Sequence, residues 1–235
     1  MAAIKTSSGQ IIKYRNRVLY GQKRINKPAA FKNLISLKRI FDDAGIDFLL
    51  IAGTLLGAVR EHDFITHDED IDLAFLYENK QRVIDLLPRI LDQGFSIARY
   101  DRRNLLSVIR NDEYIDFYFF IKDTALLRRC NGWLIPAKFL ERTTKVLFKG
   151  VSFSAPEDYL EYLRYEYGES WRTPIQWFDY GISKAMWLKL YFKERSKEFL
   201  PRFLLDFLAK RSELRFEKRF RRKIETYISN GGSIN

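Results

Sequence analysis

The segment 47-DFLLIAGTLLGAVR-60, with 68-DEDIDLAFL-76 shortly after it, decides the fold that this sequence predicts. Residues 47–52 form a nearly continuous apolar run before Gly53, a pattern typical of a buried strand. A short helix is expected after the glycine turn, and the apolar run 71–76 predicts a second strand. The segment therefore predicts a strand, a glycine turn, a helix and a further strand, with acidic residues gathered where that last strand begins.

Helices and strands are intermixed along the rest of the chain. Proline at a first helical position and glycine just after a last one mark helix ends, while β-branched and aromatic runs mark strands. The expected helices are 28–44, 79–93, one starting at Pro156 and ending at Gly168, and a basic stretch from Lys184 that Pro201 must break. The expected further strands are 95–100, 105–110, 114–121, 145–148 and 151–154, with Lys149-Gly150 as a two-residue hairpin turn. This pattern predicts an α+β (mixed α/β) fold, a mixed sheet flanked by helices.

The net charge of +11 is concentrated at the two ends of the chain. Residues 1–45 carry ten Lys or Arg and two Asp, and residues 184–223 carry fourteen Lys or Arg and five Asp or Glu. The intervening residues carry seventeen basic and twenty-two acidic side chains. This distribution indicates an acidic catalytic middle between surfaces that attract anions. The predicted parts are a basic, irregular N-terminal arm (1–27), a catalytic domain (28–180) and a helical basic C-terminal extension (181–230).

Cysteine content and hydropathy bear on the compartment. The single cysteine, Cys130, excludes an intrachain disulfide and argues against a cysteine zinc site, so a reducing compartment is the simplest interpretation. The first residues lack the apolar core of a signal peptide, and no stretch approaches the ~20 apolar residues of a membrane span. We therefore expect a cytoplasmic protein whose only membrane contact would be peripheral, on the inner membrane face.

Three aspartates, Asp68, Asp70 and Asp72, alternate at the start of the second strand. Residues two apart on an extended backbone point to one face, so these carboxylates would crowd together while Ile71 and Leu73 enter the core. A bound Mg²⁺ or Mn²⁺ would remove their mutual repulsion, because these hard cations prefer carboxylate oxygen. A solvated acidic loop is the alternative interpretation, and the apolar residues that follow at once favour the metal site.

Two further features add to this acidic group. Gly53 and Thr54 lie between a strand and a helix, where backbone N–H groups and the helix N-terminus favour an anion. Arg60, about two turns further on, carries a guanidinium suited to clamping a phosphate. Asp116 is the only charged residue in the apolar run 114–121. A buried lone carboxylate is costly unless it is paired or ligates a metal, so Asp116 is a candidate third acid, with a solvent-facing strand edge as the alternative.

The motif as a whole resembles a known family. Residues 53–60, GTLLGAVR, followed by 68–72, DEDID, are similar to the LicD/fukutin family of the nucleotidyltransferase-fold superfamily. The superfamily pattern is a glycine with a small residue, two acids one residue apart, and a third acid on a later strand. The matching positions, in order, are Gly53, Thr54, Asp70, Asp72 and Asp116. Residues 156–168 also resemble a later segment of the family, whereas Thr66-His67 stands where LicD-like sequences usually have Pro-Trp.

The resemblance implies a nucleotidyltransferase-like mixed sheet and a metal-dependent phosphotransferase. Family members transfer phosphocholine or a polyol phosphate from a CDP-linked donor to a cell-surface or capsular glycan and release CMP. For this chain, the resemblance implies a role in the biosynthesis of a capsule, teichoic acid or lipopolysaccharide. The residues implied are Asp70, Asp72 and Asp116 for catalysis and for Mg²⁺ or Mn²⁺, with Asp68 as a further candidate ligand, and Gly53, Thr54 and Arg60 for the donor phosphates. The metal would neutralise the pyrophosphate, and an acid would accept the proton of the acceptor hydroxyl.

Other interpretations of the same residues stay open. A nucleotidyl transfer from an NTP would release pyrophosphate instead of CMP, and a basic adaptor on membranes or nucleic acid would need no chemistry at all. Residues 184–223 combine aromatic side chains with cations, which suits either an anionic membrane surface carrying a lipid-linked glycan acceptor or an apolar stripe packed on the catalytic domain. No nucleic-acid-binding module is recognisable, so nucleic acid is not an expected partner.

Overall fold

The computed structural model describes residues 2–17, 24–101, 104–174, 184–196 and 199–234. The strands are β1 (Ala2–Lys5), β2 (Ile11–Tyr14), β3 (Leu49–Leu50), β4 (Asp70–Leu76), β5 (Ser96–Asp101), β6 (Leu105–Arg110), β7 (Glu113–Lys122), β8 (Leu127–Cys130), β9 (Trp133–Pro136), β10 (Thr143–Phe148) and β11 (Val151–Pro156). The helices are α1 (Lys27–Asp43), α2 (Ala52–Arg60), α3 (Lys80–Asp85), α4 (Leu87–Asp92), α5 (Lys138–Glu141), α6 (Tyr159–Tyr167), α7 (Lys184–Ser196) and α8 (Arg202–Ser229). Among these described residues, no helix is both long and apolar enough to cross a membrane.

A mixed sheet forms the centre of the fold. Its strand order is β10-β11-β3-β4-β7-β6-β5, and the hairpin β8–β9 pairs with the end of β7. The pairs β4–β7 and β11–β3 are parallel, and the others are antiparallel. The predicted α+β class, a mixed sheet flanked by helices, is therefore confirmed.

Helix α1 covers one face of this sheet. Asn26 caps its first turn by accepting a hydrogen bond from the Ala29 N–H at 3.1 Å, and Gly45 ends it with a φ of +60°. Phe41 is fully buried and packs edge-on against Phe75 of β4 and Phe117 of β7, with ring centroids 5.2 and 5.6 Å away. Because α1 occupies this face of β4 and β7, the alternate side chains of both strands are left for the opposite face.

The N-terminal arm differs from the irregular segment that we predicted. Strands β1 and β2 pair as an antiparallel hairpin, with Ile4 opposite Ile12 and both side chains buried. Two strands of four residues are too short for period-two alternation to stand out from the basic sequence around them. Residues 18–23 of the arm, and the predicted boundary between catalytic domain and extension at 180–181, lie outside the described residues.

Prolines explain two further differences. The helix predicted over 79–93 is divided into α3 and α4, and Pro88 lies in the first turn of α4. Pro156 ends β11 opposite Thr143 instead of starting a helix, and α6 begins at Tyr159 after Asp158, which caps it. The Lys149-Gly150 hairpin is confirmed, with both residues at positive φ. The hairpin β8–β9, which turns at Asn131-Gly132, was not predicted.

Gly57 fixes how closely α2 lies on the loop before β4. A Cβ at this position would lie 2.5 Å from the Asp63 carbonyl oxygen and 3.0 Å from the Ile65 backbone nitrogen. Because backbone atoms cannot swing away, we expect Gly57→Ala to lower the free energy of unfolding by about 1–3 kcal/mol, measured by denaturant unfolding. Gly53→Ala, in the same helix, should destabilise less, because the three atoms nearest to its Cβ belong to the Asp68 side chain, which can move more easily than backbone. Equal midpoints for the two variants would contradict the prediction.

Candidate active site

The three aspartates that define the predicted site lie on one face of the sheet, opposite α1. Asp72 of β4 is the direct neighbour of Asp116 in the parallel strand β7, and Asp70 is the neighbour of Tyr114. Ladder neighbours share a face, and so do residues two apart in one strand. The structure therefore brings Asp70, Asp72 and Asp116 together, with Asp72 and Asp116 buried.

Asp68, the further candidate ligand, also lies at this site. Its carboxylate rests on the Cα of Gly53, so that a Cβ on Gly53 would overlap Asp68 Oδ2. This contact explains why residue 53, in the first turn of α2, is a glycine: the absence of a Cβ leaves space for the Asp68 side chain. Asp68 Oδ2 is buried and has no hydrogen-bond partner among the described residues.

Burial acts on all four carboxyl groups, and repulsion from neighbouring carboxylates of the site acts on Asp70 and Asp72. Burial raises the pKa of Asp68 to about 6. Burial, followed by repulsion from Asp116 and Asp68, raises the pKa of Asp70 well above its usual range, and burial with repulsion from Asp70 does the same for Asp72. Burial also raises the pKa of Asp116, although the neighbouring Arg99 opposes this shift. The site thus concentrates negative charge that the protein itself only partly compensates.

Arg99 is a cation of this site that was not predicted from the sequence. Arg99 of β5, Ser107 of β6 and Asp116 of β7 are direct neighbours in one row across three strands. Arg99 Nη2 donates to Asp116 Oδ2 at 2.8 Å, and Nε donates to Ser107 Oγ at 3.2 Å. The Tyr118 hydroxyl donates to the same Asp116 oxygen at 3.2 Å. Asp116 is therefore held in place by a guanidinium and a phenol.

The strand-to-helix turn before α2 is backbone-strained and firmly anchored. Ala52 has a φ of +47°, an uncommon value for a residue other than glycine and one found preferentially at functional sites. Its N–H donates to the hydroxyl of the fully buried Tyr162 of α6 at 3.0 Å, and the Ile51 N–H donates to the Asp72 carbonyl oxygen at 3.3 Å. Helix α6 and strand β4 together hold the N-terminus of α2 beside the carboxylates.

Thr54, a predicted phosphate contact, lies in the first turn of α2. Its side chain is fully buried, and Oγ1 accepts a hydrogen bond from the Asp72 N–H at 2.9 Å. The hydroxyl therefore fixes α2 to β4, and the residue acts as a positioning group for Asp72. The predicted phosphate contact of Thr54 stays a prediction.

Arg60, the second predicted phosphate contact, is engaged within the protein. Nη1 donates to the Trp171 carbonyl oxygen at 3.0 Å, and Nη2 pairs with Glu61 at 2.8 Å. Nε is buried with no partner among the described residues. The predicted phosphate contacts of Arg60 and Gly53 stay predictions, and Arg60 also ties α2 to the turn after α6.

The donor set fits a divalent cation by its chemistry. Carboxylate oxygens are the ligands that Mg²⁺ and Mn²⁺ prefer, and Asp68 Oδ2 and Asp116 Oδ1 are buried without a hydrogen-bond partner among the described residues. However, no group of three or more His, Cys, Asp or Glu side chains in the described part of the chain is already arranged to hold a metal ion. Asp116 is instead turned towards Arg99.

Comparisons with known proteins match the part of the chain that contains this site. Residues 45–158 match the family model described as LicD/FKTN/FKRP, nucleotidyltransferase domain. This range contains the turn before α2 and all four carboxylates. Ribitol-5-phosphate transferase FKTN of Homo sapiens is 25% identical over 167 residues, which are 65% of this chain and 35% of that protein. An uncharacterized protein of Rickettsia typhi is 28% identical over 99 residues, which are 39% of this chain and 31% of that protein.

Two solved structures superpose on parts of this chain. Lincosamide antibiotic adenylyltransferase LnuA superposes with a TM-score of 0.41 at 13% identity, over 55% of this chain and 81% of that one. Antibiotic-resistance factor ANT(2'')-Ia superposes with a TM-score of 0.44 at 14% identity, over 87% of this chain and 98% of that one. The chain spans about a third of the length of the curated relatives that it matches. The resemblance predicted from the motif is confirmed: residues 45–158 of this chain match the LicD/FKTN/FKRP nucleotidyltransferase-domain model.

Proposed function

We propose that this chain transfers a polyol phosphate or phosphocholine from a CDP-linked donor to a glycan and releases CMP. The observation that carries the proposal is the pairing of Asp72 with Asp116 on parallel neighbouring strands, with Asp68 and Asp70 beside them. The family match and the similarity to a ribitol-5-phosphate transferase support a phosphotransferase acting on a glycan. The capsular or other cell-surface identity of that glycan, and a cytoplasmic location, stay parts of the proposal.

The site residues have separate tasks in this reaction. Asp70, Asp72 and Asp116 would hold Mg²⁺ or Mn²⁺, with Asp68 as a further ligand, and the bound ion would supply positive charge to the donor's pyrophosphate. The N-terminus of α2 at Gly53 presents backbone N–H groups to the same anion. Thr54 and Arg99 position Asp72 and Asp116 from either side.

The transfer itself requires one proton acceptor. The oxygen of the acceptor hydroxyl attacks the phosphorus that bears the choline or polyol, and the bond from that phosphorus to the CMP oxygen breaks. CMP leaves with the electron pair, and the hydroxyl proton passes to a site carboxylate. Burial raises the pKa of Asp116, and burial with repulsion from its neighbours raises that of Asp70, so without a bound cation these groups hold a proton more tightly than an exposed aspartate does.

The test is a panel of CDP-choline, CDP-ribitol and CDP-glycerol, incubated with the full chain, glycan acceptors and Mg²⁺ or Mn²⁺. We expect release of CMP from one donor, dependent on the glycan and abolished by EDTA. Release of pyrophosphate from an NTP, with no CMP from any donor, would reassign the reaction to nucleotidyl transfer. Turnover of neither class of donor, together with the absence of Mn²⁺ binding, would contradict an enzymatic role.

A further inference from the structure

The C-terminal half of α8 is docked on the catalytic domain. The Tyr227 hydroxyl donates to Glu161 of α6, and Lys223 forms an ion pair with Glu166 at 2.9 Å. The Phe220 ring lies 6.1 Å from the ring of Trp133 in β9. This half of the extension therefore follows the second of the two predicted possibilities, an apolar stripe that packs on the domain.

The N-terminal half of α8 leaves large apolar side chains in solvent. Phe203, Phe207 and Leu214 are 75%, 61% and 56% exposed, and Phe199, just before the helix, is 87% exposed. Positions 203, 207 and 214 recur at helical spacing and lie on one side of the helix. A row of exposed phenylalanines in one region marks an interaction surface, because single scattered apolar residues are the norm elsewhere.

The acidic side chains of α8 are divided: Glu213 and Glu217 face the domain, whereas Asp206 and Glu225 are exposed. Glu213 and Glu217 turn towards Arg129 of β8, with each carboxylate 3.9 Å from its Nη1. A Cβ on Gly132 would lie 2.6 Å from the Glu213 carbonyl oxygen, so this side of α8 is pressed against the β8–β9 turn. The exposed cations of α8 include Lys210, Arg211, Arg215, Lys218 and Arg222. The apolar row is thus bordered by basic side chains, while two of the acids of the helix face the domain.

We propose that this exposed face of α8 binds the surface of an anionic phospholipid bilayer. Phe203, Phe207 and Leu214 would enter the boundary between headgroups and acyl chains, and the flanking cations would contact lipid phosphates. A nucleic acid would engage the cations but gives no reason for the exposure of Phe203, Phe207 and Leu214 on the same side of the helix. An acidic protein surface would pair with the cations, but it would also need apolar pockets that match the exposed phenylalanines.

The test uses co-sedimentation of the full chain with vesicles of phosphatidylcholine alone or of phosphatidylcholine with about one third phosphatidylglycerol. We expect binding to the anionic vesicles that weakens with added salt, and little binding to the neutral ones. Phe203→Ser combined with Phe207→Ser should lower the partition coefficient at least about tenfold, because both rings leave the apolar contact. Arg211→Gln combined with Arg215→Gln should lower it by about fivefold for each charge removed.

Leu147→Ser is the matched control, since Leu147 is 71% exposed on β10, away from α8. It should leave vesicle binding unchanged, and all variants should keep the unfolding midpoint of the parent because the altered side chains are exposed. Unchanged vesicle binding by the Phe203/Phe207 variant would reject the proposal in favour of a simple polyanion surface. A dimer in light scattering that this variant disperses, without vesicle binding by the parent, would assign the face to a second copy of the chain. The readout is binding and not CMP release, so the outcome is independent of the proposed reaction.

Discussion

Asp70→Asn is expected to lower turnover of the CDP-linked donor by about 10²–10³-fold while leaving the fold intact. The substitution keeps the shape of the side chain and removes one negative charge from a site where four carboxylates repel one another. The variant should therefore bind Mn²⁺ more weakly, because a neutral amide is a poorer ligand for a hard cation. Its unfolding midpoint should stay level or rise, since the removed charge is buried beside Asp68 and Asp116.

Asp70→Asn is thus expected to lose activity without losing stability, and this combination is specific to a residue of the catalytic site. A residue that served only to maintain the fold would lose activity together with stability when replaced. The measurements are initial rates of CMP release, Mn²⁺ titration and denaturant unfolding on one preparation. Asp92→Asn is the control, because it removes the same charge from an exposed position in α4, and it should change none of the three. An Asp70→Asn enzyme with parental turnover would remove Asp70 from the catalytic machinery.

The sequence could predict this site because its strongest signals are local. The alternation of Asp70 and Asp72 with apolar residues is a property of one strand, and the structure places β4 where that pattern indicates. Asp116 stood out, as the only charged residue in the run 114–121, for the same reason. Their adjacency depends on the parallel pairing of β4 with β7, which no local pattern reports. The motif order of the family supplied that link.

Arg99 shows what local patterns could not give. It lies on a strand that pairs with β6 and not with β7, and its guanidinium reaches Asp116 only past Ser107. Nothing in residues 95–101 distinguishes this arginine from other surface cations of a basic protein. Thr54 differs from Arg99, because it was predicted from the sequence as a site residue but its contact in the fold was not. Its residue type suited phosphate binding, but its hydroxyl is used by the backbone of Asp72, a contact that requires α2 to lie against β4.

The same dependence on tertiary contact leads to the prediction with the largest effect on stability. Phe41→Ala is expected to lower the free energy of unfolding by about 3–5 kcal/mol. The ring is fully buried and packs against Phe48, Phe75 and Phe117 at centroid distances of 5.2 to 5.6 Å. Its removal would leave a cavity between α1 and the two strands that carry the carboxylates, and the surrounding rings belong to different elements that cannot close it together.

Denaturant unfolding at 25 °C measures the loss, and Phe192→Ala is the matched control. Phe192 is 65% exposed on α7, so the same substitution there should change stability by less than about 0.5 kcal/mol. Phe41→Leu should lose less than Phe41→Ala, because it fills most of the space with an apolar side chain. A loss below about 1 kcal/mol for Phe41→Ala would mean that α1 does not brace the sheet. If α1 does brace the sheet, Phe41→Ala should be active at temperatures well below its own melting temperature and should lose activity only when it unfolds. The reason is that Phe41 supports β4 and β7 from the face opposite Asp72 and Asp116 and touches no reacting group.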